Sequence, residues 1–409
     1  MDLELFPRRL SGAVTPPPSK SQAHRLLLCA ALAEGTSSLH NIYFSDDVRA
    51  TLGCIEELGA RCEDLGDGSL RLTGTGGRGI PEGLPRFDCG ESGSTLRFLL
   101  PVALALCGGG SFTGRGRLLR RPQKPYFDLF DEKGIRWELT DRALTVRGTL
   151  PAGAYRLPGN VSSQFFTGLL LALPLAEGES LVTAATSVES ADYIAMTLNA
   201  LACAGVEIEA EENAWRIRPQ SYRPFEASVE PDWSQAAFWI AARQLGNELR
   251  VCGLSDDSRQ GDRAISRFAE ELSREGDLVL NVAQCPDLLP PLAAMAAVRN
   301  GRCRLEGAAR LRYKESDRLA SVTAALRALG AQIREEPDAL EICGADALHG
   351  GTVDCCGDHR IAMTTAVAAT RCERGSVRLL GADCVKKSYP DFWEVYQALG
   401  GECHVLSMG

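Results

Sequence analysis

Two basic residues stand where a helix would ordinarily reject them. Lys20 opens the apolar run KSQAHRLLLCAALAEG, and Arg360 opens HRIAMTTAVAAT. The first turn of a helix carries a partial positive charge that disfavours cations. Lysine and arginine there point to a bound anion, toward which the unpaired N–H groups of the same turn would also aim. Four further apolar runs begin with polar residues: Gly93 and Ser94, Ser162-Ser163-Gln164, Asp232, and Asp287. Capping alone accounts for Ser, Asp and Gly at such places. Ser21 and Arg25 are spaced i, i+4, as are Gly93 and Arg97, so each pair shares a helix face.

More cations gather in three loops: RGRLLRRPQKP with Arg121, LRYKESDRL with Lys314, Glu315 and Arg318, and VKKSYPDFW with Lys387. Singly, each reads as a solvated basic face. Together, in a chain of net charge -9, they point to small substrates bearing several negative charges and away from nucleic acid.

The elements that must position these residues repeat. Six blocks, opening at Pro18, Glu91, Asn160, Pro231, Pro286 and Gly357, each give a small-residue apolar helix, a break and a strand. An amphipathic helix follows, ending at or near Gly59, Gly134, Gly205, Gly276, Gly330 and Gly400, about seventy residues apart. A two-strand element comes next in most copies; the short fourth interval implies that the fourth copy has lost one strand. Apolar all round, the first helices belong inside their domain, and the second belong outside.

A chain of 409 residues exceeds the roughly 250–300 that one core supports, so two domains are expected. Six repeats suggest three per domain. The stiff Pro16-Pro17-Pro18 and the stretch from Arg223 to Pro231 are the natural crossings. Residues 18–230 would form one domain; residues 1–17 and 231–409 would form the other, joined by a two-strand hinge. The expected fold is α/β, each domain three βαβαββ units with buried parallel helices and sheets outside. Their N-termini would face one cleft. No apolar run is long enough to span a bilayer, and MDLELFPRRL lacks the layout of a signal peptide. The 15 scattered cysteines read as free thiols of a cytoplasmic protein, with no zinc-ligand spacing. Gly74 to Gly79 matches GxGxxG, but Pro81 and Pro85 follow where the helix should start, so it reads as a turn.

The motifs SKSQAHR, GESGSTLR, SSQFFTGLLLALPLA, YKESDRL, GDHRIAM and VKKSYPDF, in this order, resemble the 5-enolpyruvylshikimate-3-phosphate synthases across essentially the whole chain. That resemblance implies transfer of an enolpyruvyl group from phosphoenolpyruvate to the 5-hydroxyl of shikimate 3-phosphate, without metal or other cofactor, by a likeness to monomeric enzymes. It assigns Lys20, Gly93, Arg97, Arg121, Gln164, Arg318, Arg360 and Lys387 to phosphoenolpyruvate. To shikimate 3-phosphate it assigns Ser21, Arg25, Ser162, Ser163, Gln164, Ser190, Tyr193, Asp287 and Lys314. Asp287 is implied as the base at the 5-hydroxyl, with Glu315 or Lys20 serving the methylene carbon. Three departures from the family pattern stand out: Glu91 where asparagine is usual, Phe98 in place of proline, and Arg310 where some members carry asparagine. Glu91 is expected to turn away from the anion or pair with a cation. Gly93 is kept, which implies sensitivity to glyphosate. The rivals are the sister enzyme acting on UDP-N-acetylglucosamine, which typically carries a cysteine in the loop matching 112–125, and a non-catalytic anion-binding relative. The loop here lacks cysteine, and Asp287, Glu315 and Lys20 all remain.

Overall fold

The computed structural model describes residues 1–76 and 83–407 of the chain. Gly77 and Gly79 of the GxGxxG match, and Pro81 beyond it, lie outside the described residues; the match begins within the strand Leu70–Thr75. The chain divides into two compact units, one of Pro18–Glu230 and one of Met1–Pro17 with Pro231–Gly409.

In the first unit three interior helices are α1 (Lys20–Leu32), α2 (Gly93–Cys107) and α3 (Ser163–Ala172). In the second they are α4 (Trp233–Gln244), α5 (Leu289–Ala296) and α6 (His359–Ala369). Side chains all round these helices are buried; in α2, Leu96, Phe98, Leu99, Leu100 and Val102 are each 0% exposed. Each such side chain contributes about 1.5–3 kcal/mol over its exposed state. The alternate helices bury one face, as Asp46–Glu57 does through Val48, Thr51, Cys54 and Ile55.

The sheets show how the repeat is built. In the second copy, Arg86–Asp88 runs parallel to Gly109–Thr113, which pairs antiparallel with Ala143–Arg147 of a hairpin. The first and third copies of that unit and the fifth copy repeat the order. Strands distant in sequence complete three of the six sheets among the described residues. Glu226–Ser228 supplies the leading strand of the first copy beside Glu34–His40. The N-terminal segment splits between two sheets. Asp2–Phe6 lies between Val377–Leu380 and Glu402–Ser407, and Ser11–Val14 pairs parallel with Glu248–Val251. That last sheet has two strands, so the fourth copy lacks both hairpin strands, where the sequence spacing had implied the loss of one.

All six glycines that close the second helices have left-handed backbone (Gly59 at φ 99°, Gly134 at 69°, Gly205 at 72°, Gly276 at 95°, Gly330 at 91°, Gly400 at 95°), the conformation in which a helix C-terminus ends without a Cβ penalty. Five interior helices open on a capping side chain: Ser19, Ser92, Ser162, Asp232 and Asp358. The sixth does not. Pro290 and Pro291 restrict the start of α5, and a turn of 3-10 helix (Pro286–Leu288) precedes it, so Asp287 lies on that tighter turn rather than at an α-helical cap.

Candidate active site

In the unit of residues 18–230, α2 carries Arg97 one turn from its start, and Pro101 decides how that residue is held. A proline at i+4 offers no N–H to the Arg97 carbonyl. The Tyr126 hydroxyl, 0% exposed, stands 3.0 Å from that carbonyl and 2.9 Å from the Phe165 carbonyl of α3. Gly168 makes room for it: a Cβ there would lie 2.2 Å from the hydroxyl and 2.4 Å from the Arg97 carbonyl.

So fixed, Arg97 donates to Gln164 Oε1 (2.7 Å), Gln123 Oε1 (3.4 Å) and the Pro122 carbonyl (2.9 Å), with its guanidinium 4.9 Å from the Phe165 ring centre. Gln164 Nε2 donates to Ser94 Oγ at 2.9 Å. Arg121 reaches the same place, since a Cβ on Gly93 would stand 2.8 Å from its Nη1. Gly93, Ser94, Arg97, Arg121 and Gln164 therefore form one group at the start of α2 and α3. Arg121 is the buried cation of its loop; Arg115 pairs with Asp88, Lys124 with Asp128, and Arg117 and Arg120 are exposed. The Glu91 carboxylate packs against Gly116 of this loop, where a Cβ would be 2.6 Å from Oε2.

A second group surrounds Arg25, which is 1% exposed. It donates to the Ser21 carbonyl (2.6 Å), Thr197 Oγ1 (2.8 Å), the Tyr193 carbonyl (3.0 Å) and Thr167 Oγ1 (3.4 Å). Burial pulls its pKa down to about 10. Ser190, at φ 57°, takes the left-handed conformation just before the helix Ala191–Cys203, and its carbonyl accepts from the Tyr193 N–H at 3.1 Å. Ser162 uses its hydroxyl to cap α3, and Ser163 behind it is buried. Lys20 pairs with Asp47 at 2.8 Å. Asp47 is a partner that the sequence reading missed, because Ser-Asp-Asp before Val48 reads as an ordinary helix start. Gln123 was missed too, having no spacing that marks it as an acceptor.

In the other unit the cations meet carboxylates. Arg318, 1% exposed, donates to Asp287 (2.6 Å), Glu315 (2.5 Å) and Asp358 (2.8 Å). Arg360 reaches Asp287 Oδ2 and the Asp287 carbonyl, each at 3.2 Å, and Ser234 Oγ at 2.7 Å. Lys314 stands 3.5 Å from Asp287, and Lys387 donates to the Gly357 carbonyl at 2.6 Å. Arg310 donates to the Ala283 carbonyl. First turns of α4 and α6 and the turn before α5 are thus linked through Ser234, Arg360 and Asp287.

Burial would raise the Asp287 pKa, but Arg360, Lys314 and Arg318 outweigh it and hold the carboxyl well below the usual carboxylate range. Burial lowers Lys314, against the pull of Asp287. Arg318 is driven the other way: its three carboxylates overcome burial and fix its proton. An anion entering here would compete with carboxylates for the same donors. In the unit of residues 18–230 the described acceptors of Arg25 and Arg97 are neutral oxygens. Among the described residues no group of three or more His, Cys, Asp or Glu is arranged to hold a metal ion, and no helix is long and apolar enough to cross a membrane.

A profile of EPSP synthase (3-phosphoshikimate 1-carboxyvinyltransferase) matches residues 6–396. The 3-phosphoshikimate 1-carboxyvinyltransferase of Clostridium kluyveri is 41% identical, covering 100% of this chain and 99% of that protein. The protein of the same name from Clostridioides difficile is 39% identical, again over 100% and 99%. Among solved structures, the EPSP synthase of Acinetobacter baumannii superposes with a TM-score of 0.80 over 99% of this chain and 100% of its own, at 23% identity. The enolpyruvyl transferase NikO of Streptomyces tendae gives 0.77 over 98% of both chains at 17% identity. These two share the fold, and the match over the full length to the clostridial enzymes carries the assignment: the chain belongs to the EPSP synthase family.

Proposed function

We propose that this chain works as a 3-phosphoshikimate 1-carboxyvinyltransferase: it moves the enolpyruvyl group of phosphoenolpyruvate onto the 5-hydroxyl of shikimate 3-phosphate and releases phosphate. The observation that supports this most is the full-length match to enzymes of that name. The residues fit the chemistry. Addition to the enolpyruvyl double bond needs a proton delivered to its methylene carbon and one taken from the attacking hydroxyl; elimination then removes a proton from the resulting methyl carbon as phosphate leaves, which restores the double bond. Lys20, Gly93, Arg97, Arg121, Gln164, Arg318, Arg360 and Lys387 hold phosphoenolpyruvate. Ser21, Arg25, Ser162, Ser163, Gln164, Ser190, Tyr193 and Lys314 hold shikimate 3-phosphate, and Asp287 contacts its 5-hydroxyl. Glu315 or Lys20 serves the methylene carbon.

Asp287 is a poor base while three cations hold it. Substrate phosphates and carboxylates draw those cations onto themselves and raise its proton affinity, so base strength arrives with the substrates. Glu315 loses part of its hold on Arg318 by the same exchange. The chain passes between its units twice, beside Pro17 and beside Glu230. The hydrogen bonds Ser19 N–H to the Glu230 carbonyl and Asp232 N–H to the Pro17 carbonyl, both 2.8 Å, anchor these crossings, which serve as the hinge. The enzyme acts as a monomer in the cytoplasm, a compartment that suits 15 free cysteines. Glyphosate inhibits it at the phosphoenolpyruvate site.

Phosphate release tests the reading. Turnover is expected with phosphoenolpyruvate and shikimate 3-phosphate. Turnover with UDP-N-acetylglucosamine instead would transfer the chain to the sister activity, and none with either would make it a binding relative. Full activity in millimolar glyphosate would remove the inhibitor assignment alone.

A further inference from the structure

The Lys20–Asp47 pair does not join its two helices alone. Lys20 and His24 lie one turn apart on α1, as Asp47 and Thr51 do on the helix Asp46–Glu57. His24 Nδ1 and Thr51 Oγ1 stand 2.7 Å apart, one turn along from the 2.8 Å ion pair. From Thr51 the chain of contacts runs on to Thr95 Oγ1 of α2, also at 2.7 Å. Thr95 donates to Ser92 Oγ from its hydroxyl (2.7 Å) and from its N–H (3.2 Å), and Ser92 caps α2. With the Thr95 proton spent on Ser92, Thr51 donates to Thr95 rather than to the Asp47 carbonyl 3.4 Å away, and the His24 Nδ1–H donates to Thr51. Both threonines are 0% exposed. The other ring nitrogen, Nε2, is buried with no partner among the described residues. Burial, with the charges of Lys20 and Arg25, holds the imidazole pKa well below its usual value, so the link is neutral.

We infer that His24 is a positioning residue: through Thr51 it holds the helix that carries Asp47, and with it the seat of Lys20, in register with the start of α2. This rests on the assignment of Lys20 to phosphoenolpyruvate. Three features of the chain argue for it. Lys20 has a long flexible stem and sits in a first turn whose partial charge repels it, so Asp47 must be presented at a fixed place to hold the ammonium there. The charged pair opens when phosphoenolpyruvate draws Lys20 to itself, whereas the chain from His24 to Ser92 is buried and offers an anion no charge. It stays closed through the exchange and keeps Asp47 where Lys20 can return to it once phosphate has left. Packing alone would be served better by a leucine, because the imidazole brings into the core a nitrogen that nothing described there satisfies. A hydrogen bond, unlike an apolar contact, sets direction as well as distance.

The test is steady-state kinetics of Thr51→Val, Thr51→Ser, His24→Leu, His24→Asn and Lys20→Ala, and of Thr51→Val combined with Lys20→Ala, with thermal melting of each. Thr51→Val keeps the shape of the side chain and removes the hydroxyl. The expected result is a rise of about tenfold in the phosphoenolpyruvate KM for Thr51→Val and His24→Leu alike, with the shikimate 3-phosphate KM within about twofold. Thr51→Ser, which keeps the hydroxyl, and His24→Asn, whose amide donates from near the place of Nδ1, should recover most of the loss. Combined with Lys20→Ala, Thr51→Val should add less than about twofold, since the residue it positions is gone. Full additivity there, an unchanged phosphoenolpyruvate KM in either single variant, or no rescue by serine or asparagine would overturn the inference. Should His24→Leu fail to fold, the Thr51→Val and Thr51→Ser pair decides it alone. If Lys20→Ala itself leaves the phosphoenolpyruvate KM unchanged, the site assignment has failed; if it raises it while Thr51→Val does not, only the inference has.

Discussion

The two units present the same kind of helix pole with opposite chemistry around their arginines. In residues 18–230, Arg97 and Arg25 donate to amide oxygens, carbonyls and threonine hydroxyls. In the other unit, Arg318 and Arg360 donate to Asp287, Glu315 and Asp358. A guanidinium on neutral acceptors keeps its full charge for an incoming anion. One clamped by carboxylates is already neutralised and must exchange partners to bind. On the proposed function, the first pole therefore supplies standing attraction, and the second couples anion binding to the freeing of carboxylates that can then move protons. Lys20, paired with Asp47, is the exception on the first side and behaves as a member of the second class.

The largest effect expected is at the second pole. Asp287→Ala should cut turnover by about 10²–10⁴-fold in the phosphate-release assay; unchanged turnover would show that the freed carboxylate is not the base. The poles should then differ in how an arginine deletion reads out. Arg318→Ala takes the shared guanidinium from three carboxylates, one of them (Asp358) 0% exposed, and should lower stability by roughly 3–5 kcal/mol in urea denaturation. Arg97→Ala leaves the neutral oxygens of Gln123, Gln164 and Pro122 without this donor; it should raise the phosphoenolpyruvate KM roughly ten- to hundredfold with a smaller loss of stability. Equal destabilisation by both would erase the contrast. Smaller again is Gly93→Ala. Its Cβ would meet Arg121 Nη1 at 2.8 Å, the movable end of a long side chain, so the melting temperature should hold while the phosphoenolpyruvate KM rises by on the order of tenfold.

Much of this was legible in the residues because the repeat is local. Apolar helix, break, strand and closing glycine recur within each copy, and a left-handed backbone at Gly59 or Gly400 leaves a glycine in the sequence. Cations at a helix start are equally visible, since Lys20 and Arg360 contradict the dipole. What escaped is non-local. Nothing within Asp2–Val14 tells that its two strands complete two different sheets, or that the fourth copy forms no hairpin of its own. Asp47 and Gln123 escaped for a related reason. Each acquires its role from a partner 26 or more positions away, and an isolated Asp or Gln in a polar stretch carries no periodicity to betray it.

The exchange of cations at Asp287 is most directly tested by titrating its side-chain carboxyl carbon by 13C NMR, identified by its loss in Asp287→Asn, with and without shikimate 3-phosphate. Without phosphoenolpyruvate no turnover intervenes. The carboxyl should remain ionised to the lowest pH at which the free protein stays folded, and its midpoint should climb by about one unit or more once the substrate draws Lys314 away. An ordinary midpoint near 4 in the free protein, or one that shikimate 3-phosphate leaves unmoved, would contradict the account.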